Sequence, residues 1–328
     1  MIVEEPAVLQ RMQEAVGNCC CAPLLAELDP VLRVDLLNRL FFDRLEHKMG
    51  IVDRLRKQAN DNWNQTFYLL YFRTLGDSQN QAAFLTLAET VRYGQLLWER
   101  QKPHVVEAML LGAAGLLSLY PQDDYTRMLR REFDNCAQKY GFRAMQLGDW
   151  KFGKMRPVNH PVLRLAEAAE FFSQDEFVLN RTLQCRTERD VRELFCIEAP
   201  EYWRTHYLPG VESDERPKRI GRDKANIIGI NLVAVLQYAY GCYMGKEELR
   251  GNALELLESL EPERNHFMKR WEALGFAPAN AFESQALLQL TKNFCILKRC
   301  DRCPVGHCIR CVAEKKEKVN SKPKNDRK

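Results

Sequence analysis

"VLRVDLLNRLFFDRLEHK", residues 31–48, puts Val34, Leu37, Phe41 and Leu45 three and four positions apart, on one face of a helix. Asp29-Pro30 just before it suits a helix start, because proline's missing N–H costs nothing in the first turn. The same period returns in 63–75, 81–98, 104–117, 124–140, 161–172, 188–195, 225–243, 247–257, 263–274 and 283–294. Breaks fall at turn-forming stretches: "TLGDSQN", "SLYPQDD", "LPGVESDERPK" and "GFAPAN". Alternating strand patterns are few, with "GFRAMQLGDWKFGKM" (141–155) the best place for a short extended pair. The expected fold is mainly α, a multi-helix globular bundle of about ten or eleven helices with no regular repeat. Tyr140–Pro157 is the expected seam between a helical half over 1–150 and a second over 151–294 packed on it. A short Cys-rich metal-binding segment over 295–311 and a disordered basic tail over 312–328 complete the expectation.

Composition narrows the class. The 328 residues are 46% hydrophobic and 28% charged, ordinary for a soluble domain or two. No apolar run reaches the length of a membrane span, and "MIVEEPAVLQ" lacks a basic region followed by an apolar stretch. The expected location is therefore the cytoplasm, with no membrane partner, where the twelve cysteines stay reduced. Lone Cys136, Cys185, Cys196 and Cys242 read as small buried hydrophobes.

Charge is uneven. The net +4 equals the charge of Val312–Lys328 alone; Cys295–Cys311 carries +3 and the first 294 residues −3. A basic tail is either a solubilising extension or a phosphate contact that needs no fixed structure.

"CILKRCDRCPVGHCIRC" (295–311) spaces Cys295-x4-Cys300-x2-Cys303-x4-Cys308-x2-Cys311, with His307 inside. A Cys-x2-Cys turn points two thiolates at one metal, and both zinc and iron–sulfur clusters use it. Zinc would take the pairs Cys300/Cys303 and Cys308/Cys311. A [4Fe–4S] cluster would take Cys295, Cys300, Cys303 and Cys308, a spacing that resembles the cluster loop of helix-hairpin-helix DNA glycosylases with shorter outer gaps. Cys21, in "NCCCAPLL", is a candidate remote ligand, an arrangement that resembles the iron staple of some bacterial recombination nucleases. Lys298, Arg299, Arg302 and Arg310 would offset the thiolates' negative charge or touch phosphate.

Three further groups carry candidate chemistry. "ERPKRIGRDKAN" (215–226) offers Arg216, Lys218, Arg219, Arg222 and Lys224 before a helix N-terminus, as phosphate ligands or a solvated loop. Arg156 and Arg164 flank Pro161 and either meet a ligand or belong to ordinary helix capping. Trp203, His206 and Tyr207, at helical spacing, read as a core stripe or a stacking platform, with His206 a possible general base. No P-loop, dinucleotide fingerprint, His-Glu-x-x-His or Gly-x-Ser-x-Gly is present.

"RPVNHPVLRLAEAA" (156–169), "APEYWRTHY" (199–207), "WEALGFAPANAFESQALLQL" (271–290) and "NFCILKRCDRC" (293–303) together resemble a bacterial family of unknown function, domain-of-unknown-function family 2851, from about Cys20 to Cys303. The resemblance implies metal-ligand roles for Cys295, Cys300 and Cys303 and leaves Cys308 and Cys311 as extras. It also implies a β-rich nuclease-like part with an Asp…Glu-x-His pattern preceding the region seen here, so this chain is expected to be one half of a split protein or a shortened relative. The leading functional expectation is a metal-stapled helical module, associated with nucleic acid and working with a nuclease-like protein partner. The alternatives are a protein-binding scaffold with a structural zinc and an enzyme with a site near Arg156, Arg164 and His206.

Overall fold

The computed structural model describes residues 21–118, 123–153 and 155–309. Its helices in order are α1 (Ala22–Glu27), α2 (Pro30–Gln58), α3 (Trp63–Leu75), α4 (Asp77–Thr90), α5 (Tyr93–Glu99), α6 (Pro103–Ala113) and α7 (Asp124–Tyr140). After them come α8 (Pro161–Gln174), α9 (Val178–Gln184), α10 (Glu188–Phe195) and the strands β1 (His206–Leu208) and β2 (Val211–Glu212). The last are α11 (Arg222–Ile228), α12 (Ala234–Met244), α13 (Glu247–Ser259), α14 (His266–Ala273) and α15 (Ala281–Leu290). The fold is mainly helical with almost no strand, and fifteen α-helices lie within the described residues, against the ten or eleven expected. The surplus comes from short helices with little periodicity to read, α1 and α9, and from two expected helices that split: Val91 is extended, which ends α4 before α5 begins, and a π-helical stretch divides α11 from α12.

Two compact units share the chain: one is Met1–Lys48 with Glu261–Lys328, the other Met49–Leu260. In the first, Leu37, Phe41 and Leu45 are buried as the period of α2 predicts, joined by Leu36 and Leu40, whereas Val34 is 56% exposed. Phe41 stacks on Phe282 with ring centroids 3.9 Å apart, and the Trp271 indole N–H donates to Thr291 Oγ1 at 2.8 Å.

The second unit is built around the aromatic band of α3. Tyr71 stacks on Phe171 of α8 at 5.1 Å, and Tyr68 meets Phe172 edge-on at 5.2 Å. Side-chain caps define the helix starts: Asn62 accepts from Gln65 N–H, Asp123 from Thr126 N–H and Thr187 from Asp190 N–H. Residues 140–157, the expected seam, lie inside this unit. They are tied to neighbouring helices by Met145 N–H donating to Ala113 O, Trp150 Nε1–H to Ala114 O, and a reciprocal pair between Asn80 and Lys151. No strand forms over the described residues of 141–155; the one hairpin among the described residues is β1–β2, which turns through Pro209 and Gly210, with Gly210 at φ +66.

Arg222–Met244 is a 23-residue helical run, long and apolar enough by length and composition to cross a membrane, which the sequence reading did not register. Here 61% of its apolar window is buried, against α3, α10 and α13, as a core helix is. A π-helical stretch, Gly229–Val233, interrupts it where Gly229 passes Leu260; a Cβ there would lie 2.8 Å from Leu260 Cδ1.

Candidate functional site

Three of the seven candidate cations of the second unit, Arg164, Lys218 and Lys224, turn inward; Arg156, Arg216, Arg219 and Arg222 are exposed. Arg164 is 4% exposed and Glu167 1%. Arg164 Nη1 donates to Glu167 Oε2 at 2.6 Å and Nη2 to Asn159 Oδ1 at 2.8 Å. Burial pushes the Glu167 carboxyl up, while Arg164 pulls it back. Arg164 Nε, Glu167 Oε1 and the Tyr71 hydroxyl are buried without a hydrogen-bond partner among the described residues. Helix capping at this site falls to His160, whose Nδ1 accepts from Val162 N–H at 3.3 Å and whose pKa burial lowers to about 4. Arg156 is exposed.

Two cations of the basic stretch 216–224, Lys218 and Lys224, turn inward in the same way. Lys224, 6% exposed, donates to the carbonyls of Thr74 and Leu75 at 3.0 Å each and to Asp77 Oδ1 at 2.5 Å. It thereby caps the orphan carbonyls at the end of α3. Burial lowers its pKa to about 8 despite Asp77. Lys218, 3% exposed, donates to Arg204 O at 2.5 Å and to Ser213 Oγ at 3.2 Å. Its ammonium lies 4.4 Å from the Tyr207 ring centroid, with the Arg216 guanidinium 5.5 Å from the same ring. Arg222 pairs with Glu188 at 2.9 Å. Arg219 is exposed, and its backbone bridges to Glu198.

Trp203, His206 and Tyr207 do not share a helix. A 3-10 turn over Glu201–Arg204 carries Trp203, and the other two sit on β1. The Trp203 indole donates to Glu107 Oε1 at 2.7 Å and the Tyr125 hydroxyl to Glu107 Oε2 at 2.6 Å. Tyr202 stacks between Tyr125 at 4.0 Å and His206 at 4.1 Å, and its hydroxyl donates to Asp123 Oδ2 at 2.5 Å. His206 Nδ1 lies 3.0 Å from Tyr202 O. Burial raises the Glu107 pKa to about 7, against the two hydrogen bonds it accepts and with help from the charge of Glu170. Burial alone would raise Asp123; hydrogen bonds from Tyr202 and Thr126 instead hold it low. Glu107 has no exposed surface, so its network braces α6, α7 and the 3-10 turn from inside.

The C-terminal cations are placed differently. Lys298, Arg299 and Arg302 are exposed, in a turn where Lys298 takes φ +56. Arg302 lies 3.7 Å from Asp301, while the side chains of Lys298 and Arg299 have no partner among the described residues. Within this segment Cys303 is buried and Cys295, Cys300 and Cys308 are half-buried. Cys303 N–H reaches Cys300 O at 3.4 Å, and Gly306 packs so close that a Cβ would lie 2.7 Å from Cys300 O. Among the described residues no three Cys, His, Asp or Glu side chains gather into a metal-holding group. Cys311, Arg310 and the basic tail lie outside the described residues. Cys21 is buried at the start of α1. Of the lone cysteines, Cys136 and Cys185 are buried as expected, Cys196 is half-buried and Cys242 is exposed.

The model of the family "Protein of unknown function (DUF2851)" matches residues 4–266. The chain belongs to that family. No curated protein and no solved structure matches it. The DUF2851 match stops short of the cysteine segment and of the blocks at 271–290 and 293–303, so membership says nothing about those residues. It does cover the inward-turned cations and Glu107. Sequence reading missed Glu107 because a single acid in an apolar helix, "PHVVEAMLLGA", was the only available signal.

Proposed function

We propose that this DUF2851 protein is a nucleic-acid-associated helical module that contacts phosphates through its C-terminal basic segment. One observation carries the reading: Lys298 and Arg299 are solvent-facing cations without side-chain partners among the described residues, next to the most basic stretch of the sequence. Lys and Arg so placed can neutralise phosphates and release counterions. A structural metal on the cysteines belongs to the same proposal. The tight Cys300–Cys303 turn supports it, and Cys308 with Cys311 would have to complete it. A nuclease-like partner, which the family resemblance suggests, would supply strand-cutting chemistry that the described residues give no reason to assign to this chain. A protein-binding scaffold is the second reading, and Val31 and Val34, 76% and 56% exposed on α2, favour it.

The test is binding of a short labelled oligonucleotide to the full chain across a salt series, with metal content measured on protein purified without oxygen. Affinity that falls steeply with salt and drops on substituting Lys298 and Arg299 supports the reading. Absent or salt-insensitive binding overturns it in favour of the scaffold. About four irons or about one zinc per chain would support the metal, and neither would remove it from the proposal.

A further inference from the structure

At one place in the first unit three cations, Arg44, Lys48 and Lys292, stand near one carboxylate, Glu263. Arg44 and Lys48 stand one turn apart on α2, both half-buried. Arg44 Nε and Lys48 Nζ donate to the same atom, Gln285 Oε1, at 2.6 and 2.7 Å. Gln285, 1% exposed on α15, passes its Nε2–H to Glu263 Oε2 at 2.8 Å, and Asn265 Nδ2 donates to Glu263 Oε1 at 3.0 Å. Two cations therefore converge on a neutral amide oxygen, and the carboxylate they feel lies on the far side of that amide. Lys292, exposed beside Phe267 with its ammonium 5.7 Å from the ring centroid, adds a third positive charge. The charges acting on Lys48 are Arg44, Glu263 and Lys292; burial first, then Arg44, push its ammonium well below the ordinary lysine range.

A purely structural tie between α2 and α15 would not need this charge, since a neutral donor satisfies an amide oxygen without the cost of desolvating an ion. The donors are also only partly used: the Nη atoms of Arg44 have no acceptor among the described residues. We propose that Arg44, Lys48 and Lys292, with Gln285 holding the first two in place, bind a phosphate dianion, either inorganic phosphate or a terminal phosphomonoester. The guanidinium fork suits two oxygens of such a group and each ammonium acts as a point charge on another. A bound dianion would favour the charged form of Lys48, and the group would then carry two net positive charges, which match a dianion better than a carboxylate or the singly charged phosphodiester of a nucleic-acid backbone. None of these residues belongs to the C-terminal basic segment, so this site and the proposed function stand or fall separately.

The experiment is thermal unfolding and calorimetric titration of the full chain with sodium phosphate, against sodium chloride at matched ionic strength. A saturable rise in midpoint with phosphate alone is expected. Lys48→Met should abolish that rise while leaving the midpoint in chloride unchanged or higher, which loss of a merely structural hydrogen bond would not do. Lys292→Ala, at the exposed edge, should keep the midpoint in chloride and weaken phosphate binding about tenfold. Oligonucleotides with and without a terminal phosphate separate the sources: a preference for the phosphorylated one, lost in Lys292→Ala, identifies a phosphomonoester end, and equal binding identifies inorganic phosphate. No phosphate effect beyond chloride, or phosphate binding unchanged in both variants, overturns the site.

Discussion

Two basic stretches that look alike in the sequence have opposite fates. In 216–224, Lys218 and Lys224 point into the unit, Arg222 pairs with Glu188, Arg216 lies over Tyr207, and Arg219 alone faces solvent without a side-chain partner among the described residues. In 298–302, Lys298 and Arg299 face solvent without side-chain partners among the described residues. The difference teaches that a cation's sequence neighbours do not decide its role. What decides it is whether orphan acceptors lie within reach. Lys224 meets two carbonyls at the end of α3 and Asp77; among the described residues nothing comparable meets Lys298. The inward cations should therefore answer to stability measurements and the outward ones to binding measurements.

Arg164 gives the largest expected effect. Arg164→Leu leaves the Glu167 carboxylate buried without the one hydrogen-bond donor it has among the described residues, which should cost about 3–5 kcal/mol in urea unfolding. The double variant Arg164→Leu/Glu167→Leu should recover most of that loss, because a buried pair is often replaceable by apolar side chains. A loss below about 1 kcal/mol in the single variant would mean that Arg164 is not structural, and the comparison between the two stretches would break.

Glu107 sharpens the same contrast by pH. Its folded pKa, raised to about 7 by burial, exceeds that of an exposed glutamate, so between about pH 4.5 and 7 the folded state holds a proton the unfolded chain has released. Its contribution to stability is fully present below about pH 4.5 and is lost as pH rises through 7. Glu107→Gln should flatten this fall, on the order of 3 kcal/mol, and should be more stable than the parent above pH 7. Unfolding followed across pH for both proteins checks it; parallel curves would show that the carboxyl does not titrate in this window.

The helical class was legible because core-facing positions repeat at helical spacing: Leu37, Phe41 and Leu45 are buried as the period requires, and α7 and α10 have the expected bounds. Short helices were not legible, since six or seven residues such as α1 and α9 hold too few turns to show a period. The hairpin was hidden for a related reason: three residues against two cannot show alternation. The polar networks were illegible because their partners are far apart in sequence. Glu107 meets Trp203 and Lys224 meets Thr74 only after the helices pack. Trp203 and His206 were misplaced on one helix because their spacing fits a helical turn, although a 3-10 turn and a strand divide them.

The smallest expected effect on stability is the one that most sharpens the comparison. Lys298→Ala/Arg299→Ala removes two exposed charges that hold no described side chain, so unfolding free energy should change by no more than about 0.5 kcal/mol. Each cation that neutralises a backbone phosphate adds about 0.7 to the slope of log affinity against log salt on a single strand and about 0.9 on a duplex. The double variant should therefore bind an oligonucleotide with a slope shallower by about 1.4 to 1.8, at unchanged stability. Arg164→Leu should do the reverse in protein kept folded at low temperature: lower stability, same slope. A double variant that loses stability but keeps its slope would place these cations with those of 216–224, and the outward-facing basic segment would have no claim on nucleic acid.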